Sequence, residues 1–134
     1  MVSRYFKIAP VVLLAITWAS LTSQFPELPD AVKVPFYDKW GHFVMYGVLT
    51  LAAQWDCRGE KRRGTPLPVT QWTLVCAVLP TVWGVLMELG QAYLTTCRTG
   101  DALDALANTV GVAIGLVCGI SLFGRTWGQS SGRK

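Results

Sequence analysis

The sequence predicts an all-α integral membrane protein of four transmembrane helices with both termini cytoplasmic. Three observations carry that prediction. The chain has 134 residues, of which 51% are hydrophobic and 15% charged, and the apolar residues fall in four stretches. Spanning a bilayer takes about 20 predominantly apolar residues in a helix, with a range of about 17–25. The basic residues gather on one side of these stretches, and acids lying in or beside them gather on the other. The mean hydropathy of +0.37 is modest for a membrane protein, which polar residues at one end of the helices and a basic loop explain.

The elements follow in order as one domain covering residues 1–134. The first helix is expected over about residues 6–22. Its basic start, its apolar run from Ile8 and the small residues Ala19 and Ser20 also fit a signal peptide, and the expectation is an uncleaved anchor. An outer loop, 23–38, leads to a second helix over about 39–56. A basic cytoplasmic loop, 57–69, precedes a third helix over about 71–94, which Pro80 is expected to kink because it frees a backbone carbonyl. A second outer loop, 95–101, leads to the fourth helix over about 102–123.

Orientation follows from lysine and arginine, which favour the cytoplasmic side. Arg4, Lys7, Arg58, Lys61, Arg62, Arg63, Arg125, Arg133 and Lys134 share one side with two acids, Asp56 and Glu60, for a net of +7. Lys33, Lys39 and Arg98 share the other with Glu27, Asp30, Asp38, Glu88, Asp101 and Asp104, for a net of −3. The pI near 9.0 expresses this asymmetry, which also favours anionic lipids, and nucleic acid is not an expected partner. Trp18, Trp40, Trp55, Trp72 and Tyr93 lie near helix ends, where aromatic rings anchor in the headgroup zone. Cys57, Cys76, Cys97 and Cys118 have neither CxxC pairing nor metal-ligand spacing, so no disulfide framework is expected.

The outer polar residues are the candidate site. A charge inside or bordering hydrocarbon costs several kcal/mol unless it is paired, hydrated or turned toward a cavity. Asp38, His42 and Tyr46 follow at steps of four on one face of the second helix. His42 is the only histidine, and Asp38 can act as an N-cap. Glu88 and Gln91 stand three apart near the outer end of the third helix, with Gly84 one turn below Glu88 to admit a close neighbour. Asp101, Asp104 and Asn108 form one stripe of the fourth helix, which continues through Gly111, Gly115 and Gly119. That G-x-x-x-G-x-x-x-G ridge lets membrane helices pack with their backbones close.

The string Asp38-Lys39-x-x-His42-Phe43-x-x-Tyr46 resembles the first signature of VanZ-like membrane proteins. Glu88-x-x-Gln91, Arg98, Asp101, Asp104, Asn108, Gly111 and Gly115 resemble the second, so the resemblance runs from about Asp38 to Gly119. The family takes its name from a glycopeptide (teicoplanin) resistance protein. At the level of remote fold comparison it is similar to membrane enzymes that act on lipid head groups. The resemblance implies a cell-envelope protein of the bacterial cytoplasmic (inner) membrane, multi-pass, with its site facing the outside.

The first expected function is an enzyme that binds and modifies the head group of a phospholipid or a polyprenyl-phosphate-linked lipid at the outer leaflet. His42, Glu88, Asp104 and Asp38 are the candidate catalytic residues, with His42 or Glu88 as general acid or base. Arg98 could clamp a phosphate through its planar guanidinium, with Lys39, Tyr46, Gln91 and Asn108 completing the binding set. Asp101, Asp104 and Glu88 could hold magnesium or calcium, which take hard oxygen ligands. The alternative is a non-catalytic lipid- or partner-binding membrane protein involved in the envelope or in glycopeptide resistance. Ion or proton translocation is disfavoured, because the lower halves of the helices read as apolar or glycine.

Overall fold

A computed structural model of the chain describes residues 6–22, 37–96 and 100–128. Arg4, Glu27, Asp30, Lys33, Cys97, Arg98, Arg133 and Lys134 lie outside the described residues. Those described form four helices and no strand: α1 (Ile8–Leu21), α2 (Tyr37–Arg62), α3 (Val69–Leu94) and α4 (Ala102–Phe123). Two of them, α3 and α4, are long and apolar enough to cross a membrane.

Two helix ends rest on chemistry visible in the chain. Asp101, extended, accepts from the Leu103 amide at 2.9 Å and caps α4. Gly64, at φ 81°, ends α2: the Thr65 amide bonds the Glu60 carbonyl and the Gly64 amide bonds the Lys61 carbonyl, both at 3.1 Å. This pairing satisfies the last carbonyls of a helix and needs a left-handed residue, which glycine supplies cheaply. The helix thus runs on to Arg62, through the first part of the stretch expected as a basic loop. Asp38 lies inside its first turn rather than ahead of it.

The first amides of α1 have no side-chain cap from their own segment. The cap comes from α2. Asp56 accepts from the amides of Ile8 at 3.1 Å and Ala9 at 2.9 Å, and is itself buried. A carboxylate at a helix N-terminus also meets the positive end of the helix dipole.

Within α3, residues Leu74–Val78 form a π-helical turn immediately before Pro80. Proline has no N–H to give the carbonyl four residues back, and the wider turn shifts the ladder, with the Leu79 amide bonding the Leu74 carbonyl.

The core is the contact between α2 and α4. Built onto Gly115, a Cβ would lie 2.8 Å from the Gly47 carbonyl oxygen and 2.9 Å from the Thr50 Cβ. At Gly111 it would strike the Phe43 carbonyl, and at Gly119 the Gln54 side chain. The ridge is an interface, and Gln54 ties it by donating to the Gly115 carbonyl at 2.9 Å. Below it, Ala9, Ala52, Ala53, Cys57, Trp72 and Cys76 form an apolar cluster. Trp72 is therefore a core residue rather than an anchor, with its indole N–H given to Thr126 at 2.7 Å. Trp18, Trp40, Trp55 and Tyr93 face outward.

The largest fully buried side chains include Tyr46, Gln54, Asn108 and Thr50, all polar. The outer faces carry Val11, Leu14, Val44, Val48, Val82, Leu89, Leu106, Ile114 and Val117. A polar seam inside and an apolar surface outside is the reverse of the usual soluble arrangement, and it suits hydrocarbon surroundings.

Candidate functional site

The start of α2, the end of α3 and the start of α4 meet at one end of the bundle. Helical periodicity puts His42 on the α4-facing side of α2, because Gly47 and Phe43 must be there to receive the ridge. Asp104 and Asn108 lie on the same side of α4 as Gly111 and Gly115, and are likewise buried. Glu88 reaches in from α3 one turn above Gly84, where a Cβ would lie 3.0 Å from the Asn108 Cβ. His42, Glu88, Asp104 and Asn108 thus come together, all buried.

The contacts are specific. His42 Nδ1 lies 3.2 Å from Asn108 Oδ1 and 3.5 Å from Glu88 Oε1, and Nε2 lies 3.7 Å from Asp104 Oδ2. Lys39 Nζ donates to Asp104 Oδ1 at 2.8 Å and Asp101 Oδ2 at 2.9 Å, with Asp38 Oδ2 at 3.6 Å. Glu88 Oε2 accepts from the Asp101 amide at 3.2 Å. Its other oxygen, Oε1, is buried without a hydrogen-bond partner, as are Asn108 Nδ2 and the Tyr46 hydroxyl. The Leu103 amide, and then Lys39, hold the Asp101 carboxyl below the ordinary aspartate range.

The remaining expected residues divide. Lys39 is engaged by three carboxylates, so it is not a spare cation waiting for phosphate. Asp38 is exposed and touches the cluster only through Lys39. Tyr46 lies one turn deeper than His42, against Gly84. Gln91 turns to α1, giving its amide to the Ser20 carbonyl at 2.8 Å, and stands apart from the cluster. Arg98 is outside the described residues. His42, Glu88 and Asp104 can offer ligand atoms that all lie within 4.8 Å of one another. Asp101, expected among the metal ligands, has Oδ1 on the Leu103 amide and Oδ2 on Lys39.

One feature of the interior contradicts the expectation of purely apolar or glycine lower halves. His42, Tyr46, Thr50 and Gln54 follow at steps of four along α2 and are all buried. The signal was present in the spacing, and the stripe goes two turns further than Tyr46. Thr17, Thr73, Thr81, Thr95 and Thr109 each donate to the carbonyl four residues back. The Thr50 hydroxyl has no partner, and neither does Gln54 Oε1.

No protein-family model matches the chain, and no solved structure matches it. A curated relative is "Uncharacterized protein C11E3.10" of the fission yeast Schizosaccharomyces pombe, 33% identical over 116 residues, which cover 87% of this chain and 67% of that protein.

Proposed function

The chain belongs to one family with the uncharacterized fission-yeast protein, and we propose that it is a multi-pass membrane protein whose buried polar site binds and modifies the phosphate-bearing head group of a lipid. The observation that carries this reading is the meeting of His42, Glu88, Asp104 and Asn108 from three helices at one end of a bundle whose outer faces are apolar. Ionisable groups kept at such a depth are costly and mark ligand or ion sites.

In this reading all four helices span. Arg58, Lys61, Arg62 and Arg125 lie at the end of the bundle opposite the site, where Lys61 donates to the Arg125 carbonyl. By the preference of basic residues for the cytoplasm, that end and both termini are cytoplasmic, and the site faces away. The same orientation serves a bacterial inner membrane or, as the relative's source invites, a fungal membrane bordering cytoplasm. Membership among VanZ-like proteins is part of the proposal, supported by the convergence of residues from both signatures on one cluster.

Two chemistries fit. In phosphodiester hydrolysis, a water oxygen bonds phosphorus, its proton passes to Glu88 or His42, and the bond to the leaving oxygen breaks as that oxygen takes a proton. In head-group exchange an alcohol replaces the water. The test is Glu88→Gln in detergent or nanodiscs, offered phospholipids and polyprenyl-phosphate lipids. The expected result is a fall in head-group release of about two to four orders of magnitude with lipid retained. Retention without release by the parent would leave a binding protein, and no retention of any lipid would overturn the reading.

The stripe His42, Tyr46, Thr50, Gln54 favours a second reading, proton passage through the bundle. Its test is proton flux in liposomes carrying the parent or Thr50→Val, with flux above empty liposomes expected only for the parent.

A further inference from the structure

We infer that His42, Glu88 and Asp104 bind a divalent transition-metal cation of the zinc and manganese class, with Asn108 orienting the imidazole. The inference deepens the head-group reading, which gives the metal its task, but the binding stands on the side chains alone.

The first argument is which oxygens are spoken for. Asp104 gives Oδ1 to Lys39 and turns Oδ2 toward His42 Nε2. Glu88 gives Oε2 to the Asp101 amide and leaves Oε1 buried without a hydrogen-bond partner, 3.5 Å from His42 Nδ1. Each buried carboxylate therefore has one oxygen fixed by a hydrogen bond and one aimed at the histidine. Second hydrogen bonds of this kind hold metal ligands in place. Asp101 has neither oxygen to spare, so it is a supporting group, not a ligand.

The second argument is the ring. Oxygens face both nitrogens of His42. A neutral imidazole has one N–H, so one nitrogen would turn its lone pair toward an acceptor. With Nδ1–H given to Asn108 Oδ1 at 3.2 Å, Nε2 is the ligand atom. A cation held by Nε2 and Asp104 Oδ2, with Glu88 Oε1 swung over from its place 3.5 Å from Nδ1, removes the conflict. Ligand atoms at about 2.1 Å from one zinc lie roughly 3.4 Å apart in tetrahedral geometry. The observed Nε2 to Oδ2 distance is 3.7 Å, and the three residues' ligand atoms span at most 4.8 Å. Closure draws Glu88 Oε1 from the Nδ1 side of the ring toward Nε2.

The third argument is charge. Asp38, Asp101 and Asp104 surround Lys39 and Glu88 stands on the far side of His42, so four acids face one lysine among the described residues of the cluster. Partly buried carboxylates in excess repel one another and any phosphate. A divalent cation reverses that at the point where a head group would arrive. One imidazole and two carboxylates suit zinc, manganese, iron or cobalt better than the all-oxygen shells of magnesium and calcium. Three protein ligands leave an open position, as in catalytic sites.

The test uses the full chain in detergent, stripped with chelator and without lipid. Zinc and manganese retention are measured by elemental analysis after desalting. The parent should keep one equivalent, unmoved by a large excess of magnesium. His42→Ala, Glu88→Gln and Asp104→Asn should each lose at least about 10–100-fold in affinity, while Asp101→Asn keeps it. Because His42 is the only histidine, ¹⁵N-histidine labelling of the parent reads the site without any variant. Zinc should shift Nε2 strongly and leave Nδ1 protonated. Unmoved ring nitrogens at one equivalent, or Asp101→Asn losing as much as His42→Ala, would overturn the inference. Lipid retention is a separate measurement: a metal-binding protein that holds no lipid overturns the head-group reading alone.

Discussion

Replacing Gly115 with alanine adds one carbon where α2 and α4 are closest. The new Cβ would stand 2.8 Å from the Gly47 carbonyl oxygen and 2.9 Å from the Thr50 Cβ. The first of these is backbone and cannot rotate away, so the helices must part by about half an ångström. Overpacking of this kind costs about 1–3 kcal/mol. Parting also stretches the Gln54 bond to the Gly115 carbonyl, and a buried amide left unbonded costs about 1–3 kcal/mol. Against this, alanine gains about 0.5–1 kcal/mol over glycine in a helix. The clash wins, and the net loss is about 1–5 kcal/mol. Leucine at Gly115 should prevent the pairing altogether. Gly41 supplies the control, since a Cβ there meets nothing within 4 Å, and Gly41→Ala should gain the helix term alone. The assay is thermal or denaturant unfolding in one detergent for parent, Gly41→Ala and Gly115→Ala. If Gly115→Ala is as stable as Gly41→Ala, the ridge is not an interface and the packing described above is wrong.

Asp56→Ala leaves the Ile8 and Ala9 amides without their acceptor, and should cost about 0.5–2 kcal/mol in the same assay. Faster amide exchange at the start of α1 would identify the cause, and unchanged exchange there would refute it. Tyr46→Phe removes a buried hydroxyl that has no partner, so stability should hold or rise by up to about 1 kcal/mol. A loss above 1 kcal/mol would mean the hydroxyl is bonded in the folded protein. Asp101 has its carboxyl held below the ordinary value of 3.8 by the Leu103 amide and Lys39. A lowered folded-state pKa stabilises above the unfolded value and loses that contribution as pH falls through the folded value. Asp101→Asn should therefore flatten the acid limb of a stability-versus-pH curve, and an identical limb in parent and variant would count against the cap.

The helices and most of their ends were legible in the chain because they rest on local chemistry. Apolar runs, Asp101 ahead of α4 and Gly64 after α2 act within a few residues. The glycine ridge was legible for the same reason, since a step of four fixes one side of a helix. The spacing of His42, Asp104 and Asn108 marked the sides that meet. It marked Thr50 and Gln54 equally well, since they continue the same step of four along α2.

Partners across the bundle were another matter. Asp56 caps a helix 47 and 48 residues away, Trp72 turns inward to Thr126, and Gln91 leaves the cluster for the Ser20 carbonyl. Lys39 is surrounded by acids from two helices. Periodicity sets the direction of a side chain about its own helix axis, but the rotation and depth of the neighbouring helix decide what it meets. By itself the sequence determined which residues are helical, which faces are polar and which end is basic. Tertiary packing alone decided that Glu88 Oε1 and Asp104 Oδ2 turn to one histidine while Asp101 is consumed as a cap, because that depends on three helix ends closing to hydrogen-bond distance.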